Sequence, residues 1–107
     1  MSKLEKSLIA IQKVRDKFPD EINAFLNFSQ KVKTSTNINN KNKALILVSL
    51  SVHAQCEMCI ESNVTSAIEA GCSNEEIIES AIIAVSMGGG PKMMYLQFVI
   101  DSLDHMK

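Results

Sequence analysis

Apolar residues recur along most of this chain at intervals of three and four, the spacing that places side chains on one face of an α-helix. Ser2 with Glu5 forms a possible capping box for a first helix. That helix should end near Lys17, because the residue before a proline avoids the α region. Pro19 suits the first turn of a second helix. The two predicted buried stripes are Leu4, Leu8, Ile11, Val14 and Phe18, and then Ile22, Phe25, Leu26 and Val32.

The middle of the chain changes character twice. Residues 34–43 are polar and rich in asparagine, which is typical of a loop. The segment from Ala44 to Val52 is apolar almost all round, and its periodicity alone fits a buried helix or a buried strand. We predict a buried helix, because the neighbouring segments are helical and the chain offers no second strand to pair with it.

Three more helices are predicted in the C-terminal half. The first runs from Cys56 to Ala70 and ends at Gly71, the position of a left-handed cap. A capping box opens the second, and Pro91 opens the third after a run of three glycines. Their apolar positions are Ile60, Val64, Ala67 and Ile68, then Ile77, Ile78, Ala81, Ile82 and Val85, then Leu96, Val99, Ile100 and Leu103, and the second capping box is Ser73 with Glu76. The prediction is an all-α fold of about six helices in a single domain, residues 1–107.

Composition limits the function. The 107 residues are 46% hydrophobic, and eleven Lys and Arg against twelve Asp and Glu give a net charge of −1 without a basic stripe. Nucleic acid is therefore not expected as a partner. The charged N-terminus does not resemble a signal peptide, and no apolar run reaches the about 20 residues that cross a bilayer. Three cysteines suit a reducing compartment, so we expect a cytoplasmic protein with no membrane partner.

Two of the three cysteines, Cys56 and Cys59, form a Cys-x-x-Cys at the predicted start of a helix. This spacing places both thiols on one face of a helical turn. The N-terminus of a helix favours thiolate over thiol, and a second cysteine can close a disulfide onto the first product. The bland interpretation is that both are small buried hydrophobes.

Several spaced motifs in this chain resemble the carboxymuconolactone decarboxylase / alkylhydroperoxidase D-like family. They are Lys43-Ala44-Leu45-Ile46 before Cys56-x-x-Cys59, Ala67-x-x-Ala70-Gly71 with Glu75-Glu76-Ile77-x-Glu79, and Met87-Gly88-Gly89-Gly90-Pro91. The resemblance implies an all-α fold that assembles into homo-oligomers, commonly trimers or hexamers. It implies thiol peroxidase or disulfide-reductase chemistry with no cofactor and no metal. It also implies that Cys59 reacts with peroxide to give a sulfenic acid, and that Cys56 is the proton donor and resolving thiol.

The chain departs from the redox members of the family at three positions. Asn63 stands where they usually carry a histidine, and Ala44 stands where they usually carry a glutamate, twelve residues before the first cysteine. Met58 occupies a position between the cysteines that is histidine in some members. The proton relay that would activate the sulfur is therefore absent from these positions, and slow peroxide turnover is expected.

The other candidate residues have a functional and a structural interpretation. His53, three residues before Cys56, could act as a substitute base if the helix continues, or could cap the end of its own helix. Cys72 is expected to be a packed thiol without a role. A zinc site from His53, Cys56, Cys59 and Cys72 lacks the second closely spaced ligand pair that structural zinc prefers, so no metal is predicted.

The sequence thus predicts an alkylhydroperoxidase-like thiol peroxidase that reduces a small-molecule hydroperoxide in antioxidant defence, or a thiol–disulfide adaptor. Its second substrate would be a thiol reductant or a partner redox protein. Two alternatives are a lyase like the carboxymuconolactone decarboxylases, which do not rely on a Cys-x-x-Cys, and a non-catalytic oligomeric scaffold whose proton relay has decayed. We expect a homo-oligomer, trimer or larger, because the apolar share is high for so small a monomer.

Overall fold

The protein is described by a computed structural model over residues 1–105, and all the regular secondary structure within that range is helical. Its helices are α1 (Lys3–Lys17), α2 (Pro19–Thr34), α3 (Asn40–His53), α4 (Glu57–Glu69), α5 (Asn74–Gly88), α6 (Gly90–Met93) and α7 (Leu96–His105). The predicted all-α fold is confirmed. The predicted last helix is divided in two, because the chain makes a four-residue helical turn, α6, before α7 begins. None of the described helices is long and apolar enough to cross a membrane.

The predicted helix starts are confirmed where a local capping signal exists. In α1 the Ser2 hydroxyl accepts from the backbone N–H of Glu5 over 3.1 Å, and the Glu5 carboxylate accepts from the N–H of Ser2. The same reciprocal pair joins Ser73 and Glu76 at the start of α5. This pairing holds the pKa of the Glu76 carboxyl below its ordinary value, since the Ser73 N–H and then Lys41 favour the ionised form.

The predicted loop over residues 34–43 is too long at both ends. Thr34 still belongs to α2, and α3 begins at Asn40, four residues before the predicted start. The Asn39 side-chain oxygen accepts from the backbone N–H of Asn42 over 2.8 Å and caps the helix. Asparagine disfavours helix interiors but is among the best N-cap residues, so an asparagine-rich run can hold a helix start as well as a loop.

The described chain divides into two compact units, Met1–Ile38 and the residues from Asn39 onward. The first unit contains α1 and α2. In the second unit α3 packs against α4 and α5, and α7 packs against α4. The core of the second unit is Ala44, Val48, Val52, Ile60, Val64, Ala67, Cys72, Ile77, Ala81, Ala84, Val99 and Leu103. The single-domain assignment remains a prediction.

The predicted burial of the first two helices is wrong for the described chain. Neither α1 nor α2 contains a buried residue, and Phe18 and Phe25 are 56% and 64% exposed. An apolar stripe identifies which face of a helix could be covered, but two helices offer each other too little surface to cover both stripes.

The all-round apolar segment of α3 is helical as predicted, but it is buried on one side only. Val48 and Val52 are fully buried, whereas Ile46 and Leu50 on the other side are 45% and 57% exposed. On α5 the predicted inward residue Ile82 is 50% exposed. The outer faces of α3 and α5 flank a groove of about 320 Å³. Its lining residues are Leu45, Ile46, Ser49, Leu50, Glu76, Glu79, Ser80 and Ile83.

Candidate functional site

The turn between α3 and α4 closes with two backbone hydrogen bonds of the Schellman type. Gln55 N–H donates to the carbonyl oxygen of Val52 over 3.0 Å, and Cys56 N–H donates to that of Ser51 over 3.2 Å. This places Gln55 in the left-handed region with φ of 54°. Gln55 is the only non-glycine residue with a positive φ in the described part of the chain.

The same motif ends α4, where a glycine takes the left-handed position. Gly71 has φ of 91°, and the N–H groups of Gly71 and Cys72 close the helix on the carbonyl oxygens of Ile68 and Ala67. The Gly71 cap is therefore confirmed. A residue with a Cβ is less stable than glycine in this conformation by about 1–2 kcal/mol. Gln55 thus occupies a backbone conformation that favours glycine.

After this turn Cys56 lies at the N-cap of α4. The helix begins at Glu57, one residue later than predicted. Cys56 and Cys59 are joined by a disulfide, with their Cα atoms 5.2 Å apart. The expected pairing is thus present in the structure. Cys56 is half-buried, and Cys59 is exposed. Cys59 is therefore the more accessible residue of the pair.

The start of α4 acts more directly on Cys56 than on Cys59. The Sγ atom of Cys56 accepts from the backbone N–H of Cys59 over 3.3 Å, as an N-cap side chain does. Because the helix dipole is positive at this end, negative charge on the Cys56 sulfur is favoured. Because the thiolate is the nucleophile, this geometry favours Cys56 as the more readily ionised cysteine, and peroxide attack at Cys59 remains a prediction.

Asn63 lies on the next turn of α4 and is tied to α3. Its Nδ2 atom donates to the Ser51 hydroxyl and, over 3.4 Å, to the carbonyl oxygen of Leu47. The Ser51 hydroxyl is buried and donates to the same Leu47 carbonyl over 2.6 Å. Asn63 thus satisfies polar groups at the α3–α4 contact. An amide at this place binds and orients, but it does not serve as a general base at neutral pH.

The position of the missing glutamate is apolar and packed. Ala44 is 7% exposed and belongs to the core. It lies one helical turn before Leu47 on α3, so positions 44, 47 and 51 follow the side of α3 that position 63 contacts. The structure therefore places residues 44 and 63 on facing helices.

His53 is the last residue of α3, and its side chain is exposed. The condition for its predicted role was a helix that continues to Cys56. That condition is not met, because Gln55 turns left-handed and Cys56 is extended. His53 and Cys56 therefore do not share one helix face, and a base role for His53 remains a prediction.

Sequence reasoning missed a contact between α6 and the turn before the disulfide. Lys92 is half-buried, and its Nζ atom donates to Oε1 of Gln55 over 2.7 Å. The stem of Lys92 lies against Gly88, where a Cβ would come within 2.8 Å of Lys92 Cε and closer still to Cγ.

The third cysteine lies away from this site. Cys72 is a free thiol, 7% exposed, and its Sγ atom lies 3.7 Å from the carbonyl oxygen of Lys41. Burial, and then the Glu76 carboxylate, raise the pKa of this thiol, while Lys41 acts in the opposite direction. Both effects favour the unreactive neutral form. Residues 1–105 contain no group of three or more His, Cys, Asp or Glu side chains that could hold a metal ion.

Comparison with known protein families and relatives identifies one family. The model of the Carboxymuconolactone decarboxylase family matches residues 19–100. A Paracoccus denitrificans protein named "Uncharacterized protein 4 in cox locus" is 31% identical over 83 residues, which are 78% of this chain and 75% of that protein.

Solved structures share the fold. An apo carboxymuconolactone decarboxylase family protein from Legionella pneumophila has a TM-score of 0.88 at 27% sequence identity, over 94% of this chain and 90% of that one. A Thermotoga maritima member, for which a role in the antioxidative response has been suggested, has a TM-score of 0.76 at 22% identity. That alignment covers 91% of this chain and 89% of the other, and at this identity it shows the fold alone.

Proposed function

Since the chain belongs to the carboxymuconolactone decarboxylase family, we propose that it is a thiol-dependent peroxidase and disulfide oxidoreductase of the alkylhydroperoxidase D-like kind. The observation that carries this proposal is the disulfide between Cys56 and Cys59, with Cys56 at the N-cap of α4 and Cys59 an exposed residue. This arrangement combines an exposed cysteine with a second cysteine whose thiolate is stabilised for the attack that closes the disulfide.

The peroxidase reaction would proceed in two steps. The Cys59 thiolate attacks one oxygen of a hydroperoxide, the O–O bond breaks, and the departing alkoxide or hydroxide takes up a proton. Cys59 is oxidised by two electrons to a sulfenic acid, and the peroxide is reduced to an alcohol or water. The Cys56 thiolate then attacks the Cys59 sulfur, the S–O bond breaks, and water leaves with one further proton.

The cycle closes when a thiol reductant returns two electrons to the disulfide. An external thiolate attacks one sulfur of the pair, and a second thiol then releases the reductant as its own disulfide. A small-molecule thiol or a partner redox protein could supply these electrons. Such a cycle suits a reducing compartment such as the cytoplasm.

Peroxide reduction should be slow near neutral pH. Asn63 is engaged with Ser51 and Leu47, and Ala44 is packed in the core, so neither position supplies a proton relay to Cys59. Cys59 then depends on the helix terminus for ionisation. The rate of its reaction with peroxide should therefore increase as the pH is raised towards the ordinary thiol pKa of about 8.5.

The test is the intact mass of the fully reduced protein after one equivalent of hydrogen peroxide. The expected product has lost two hydrogen atoms, and peptide mapping should place the bridge between Cys56 and Cys59, with Cys72 free. Cys72→Ala is the matched control and should give the same loss, because the Cys72 thiol is buried. An unchanged mass, or a dominant bridge within one subunit that includes Cys72, would reject the proposal. Decarboxylation of a small lactone acid, followed optically, would then test the lyase alternative.

The proposal includes assembly into a homo-oligomer, trimer or larger. It is supported by exposed apolar residues on one side of α5, where Ile83 is 60% and Met87 is 85% exposed one helical turn apart. Symmetric assembly commonly covers such a surface in small chains. Light scattering at micromolar concentration should give at least three times the mass of one chain. Ile83→Lys should lower that mass, whereas Ser86→Lys on the same helix should lower it less. A wild-type monomer would contradict this part.

A further inference from the structure

The contact between Lys92 and Gln55 lies at the turn that precedes the disulfide, and the role proposed for it rests on the proposed redox function. We propose that Lys92, held by Gln55 and given room by Gly88, supports negative charge on Cys56 when the disulfide is opened. Lys92 and Gln55 would then be positioning residues that set the thiol–disulfide equilibrium of the pair and the rate at which a reductant opens it.

The backbone of Gln55 is the first observation. Its φ of 54° puts it in a conformation where glycine has no steric penalty, and the equivalent residue of the second Schellman motif is Gly71. A strained residue persists where its surroundings hold it in place, and such residues cluster at functional sites. A side chain at position 55 therefore indicates a function that glycine could not provide. The amide oxygen of Gln55 accepts a hydrogen bond from the Lys92 ammonium over 2.7 Å.

Gly88 is the second observation. A Cβ at this position would overlap the Lys92 stem, while a Cβ at Gly90 would meet no atom within 4 Å. Gly88 is helical and has no positive φ, so its backbone does not require glycine. The space left by the missing Cβ is occupied by the Lys92 side chain, whose ammonium ends beside the residue that precedes Cys56.

The charges on the segments around the pair are few. They are His53 at the end of α3, Glu57 and Glu61 on α4, Lys92 on α6 and Asp101 on α7, while α5 carries no charged side chain from residue 80 onward. Lys92 is the permanent cation in this set. It therefore offsets the carboxylates of α4 and adds to the positive end of the helix.

The step that this charge assists is the opening of the disulfide. The thiolate of a reductant attacks the exposed Cys59 sulfur and forms a mixed disulfide with it, and the S–S bond to Cys56 breaks. Cys56 leaves with the electron pair as a thiolate, next to the Cys59 N–H. A second thiolate of the reductant then displaces Cys59 and closes the reductant's own disulfide. Two electrons pass from the reductant to the protein, and a leaving thiolate of lower basicity departs faster.

The experiment is a redox titration of the protein against dithiothreitol at neutral pH and low ionic strength. Lys92→Met should shift the equilibrium towards the disulfide by about two- to fivefold, the range for one partly exposed charge. The reduced variant should also show a smaller thiolate absorbance in the ultraviolet. Lys92→Arg should restore most of both signals. Added salt should bring the thiol–disulfide equilibrium of the wild type closer to that of Lys92→Met, because salt screens a surface charge.

Two further variants separate the charge from its placement. Gly88→Ala leaves every charge in place but displaces the Lys92 stem, so it should shift the equilibrium in the same direction, and Gly90→Ala is its matched control without an effect. Gln55→Gly should release Lys92 and so move the thiol–disulfide equilibrium towards the disulfide, as Lys92→Met does. It should not lower the thermal stability, because glycine suits the left-handed turn. Combining Gln55→Gly with Lys92→Met should add little to Lys92→Met alone.

The inference would be overturned if Lys92→Met and Gly88→Ala had the same thiol–disulfide equilibrium and the same thiolate absorbance as the wild type. An effect of Lys92→Arg as large as that of Lys92→Met would also overturn it, since the contact would then act through shape and not charge. No peroxide enters this titration. A protein that fails to consume peroxide could still satisfy it, and a peroxidase could still fail it, so the two proposals are rejected by different results.

Discussion

Peroxide consumption should disappear when Cys59 is replaced by serine. Cys59 is the exposed residue of the pair, and a serine hydroxyl cannot be oxidised to the equivalent of a sulfenic acid. In single-turnover experiments the rate of hydrogen peroxide consumption should fall to that of the buffer alone, and no oxidised form of Cys56 should accumulate. The effect is the largest expected here, because the reacting atom itself is removed.

Cys56→Ser gives the complementary result. This variant should consume one equivalent of peroxide and gain the mass of one oxygen atom at Cys59, since no second thiol of the pair can expel water. Trapping with a sulfenic-acid reagent identifies the modified residue. A sulfenic acid on Cys56 in Cys59→Ser, together with an inert Cys56→Ser, would reverse the assigned roles of the two cysteines.

A gain of about 10²–10⁴-fold in the peroxide rate at pH 7 is the upper range expected for Asn63→His combined with Ala44→Glu, because a positioned general base contributes this much in favourable cases. Position 63 lies one helical turn after Cys59 and contacts α3 at residues 47 and 51. Position 44 lies one turn before Leu47 on that side of α3, where a carboxylate could orient the new imidazole. Single-turnover kinetics at several pH values measure the gain.

The single variants serve as controls. Asn63→His alone should accelerate the reaction less than the pair, because its ring is not oriented. Ala44→Glu alone should lower thermal stability, since it buries an unpaired carboxylate at a core position that is 7% exposed. If His53 already supplies the proton path, His53→Ala will slow the wild type and the gain from Asn63→His will be small. A fast wild type that is indifferent to His53→Ala would show that another group activates the sulfur.

The candidate site was only partly predictable from the sequence. Cys56 and Cys59 are three residues apart, so their proximity follows from local helix geometry. The bond between Asn63 and Ser51 joins residues twelve apart, and the bond between Lys92 and Gln55 joins residues thirty-seven apart. No short pattern encodes such contacts, because they depend on how one helix lies against another. Gln55 looked like an ordinary loop residue until its backbone conformation was known.

The sequence by itself determined the helical elements and those of their ends that carry a local capping signal. The capping boxes at Ser2 and Ser73, the proline at the start of α2 and the glycine after α4 act through bonds or steric limits within a few residues. Only the tertiary structure decided which apolar faces are covered. Periodicity shows that a face is apolar but not what packs on it, so Val48 is buried while Phe25 remains exposed. It also decided that Lys92 contacts the turn before the disulfide, because that contact exists only after α6 has folded back towards the end of α3.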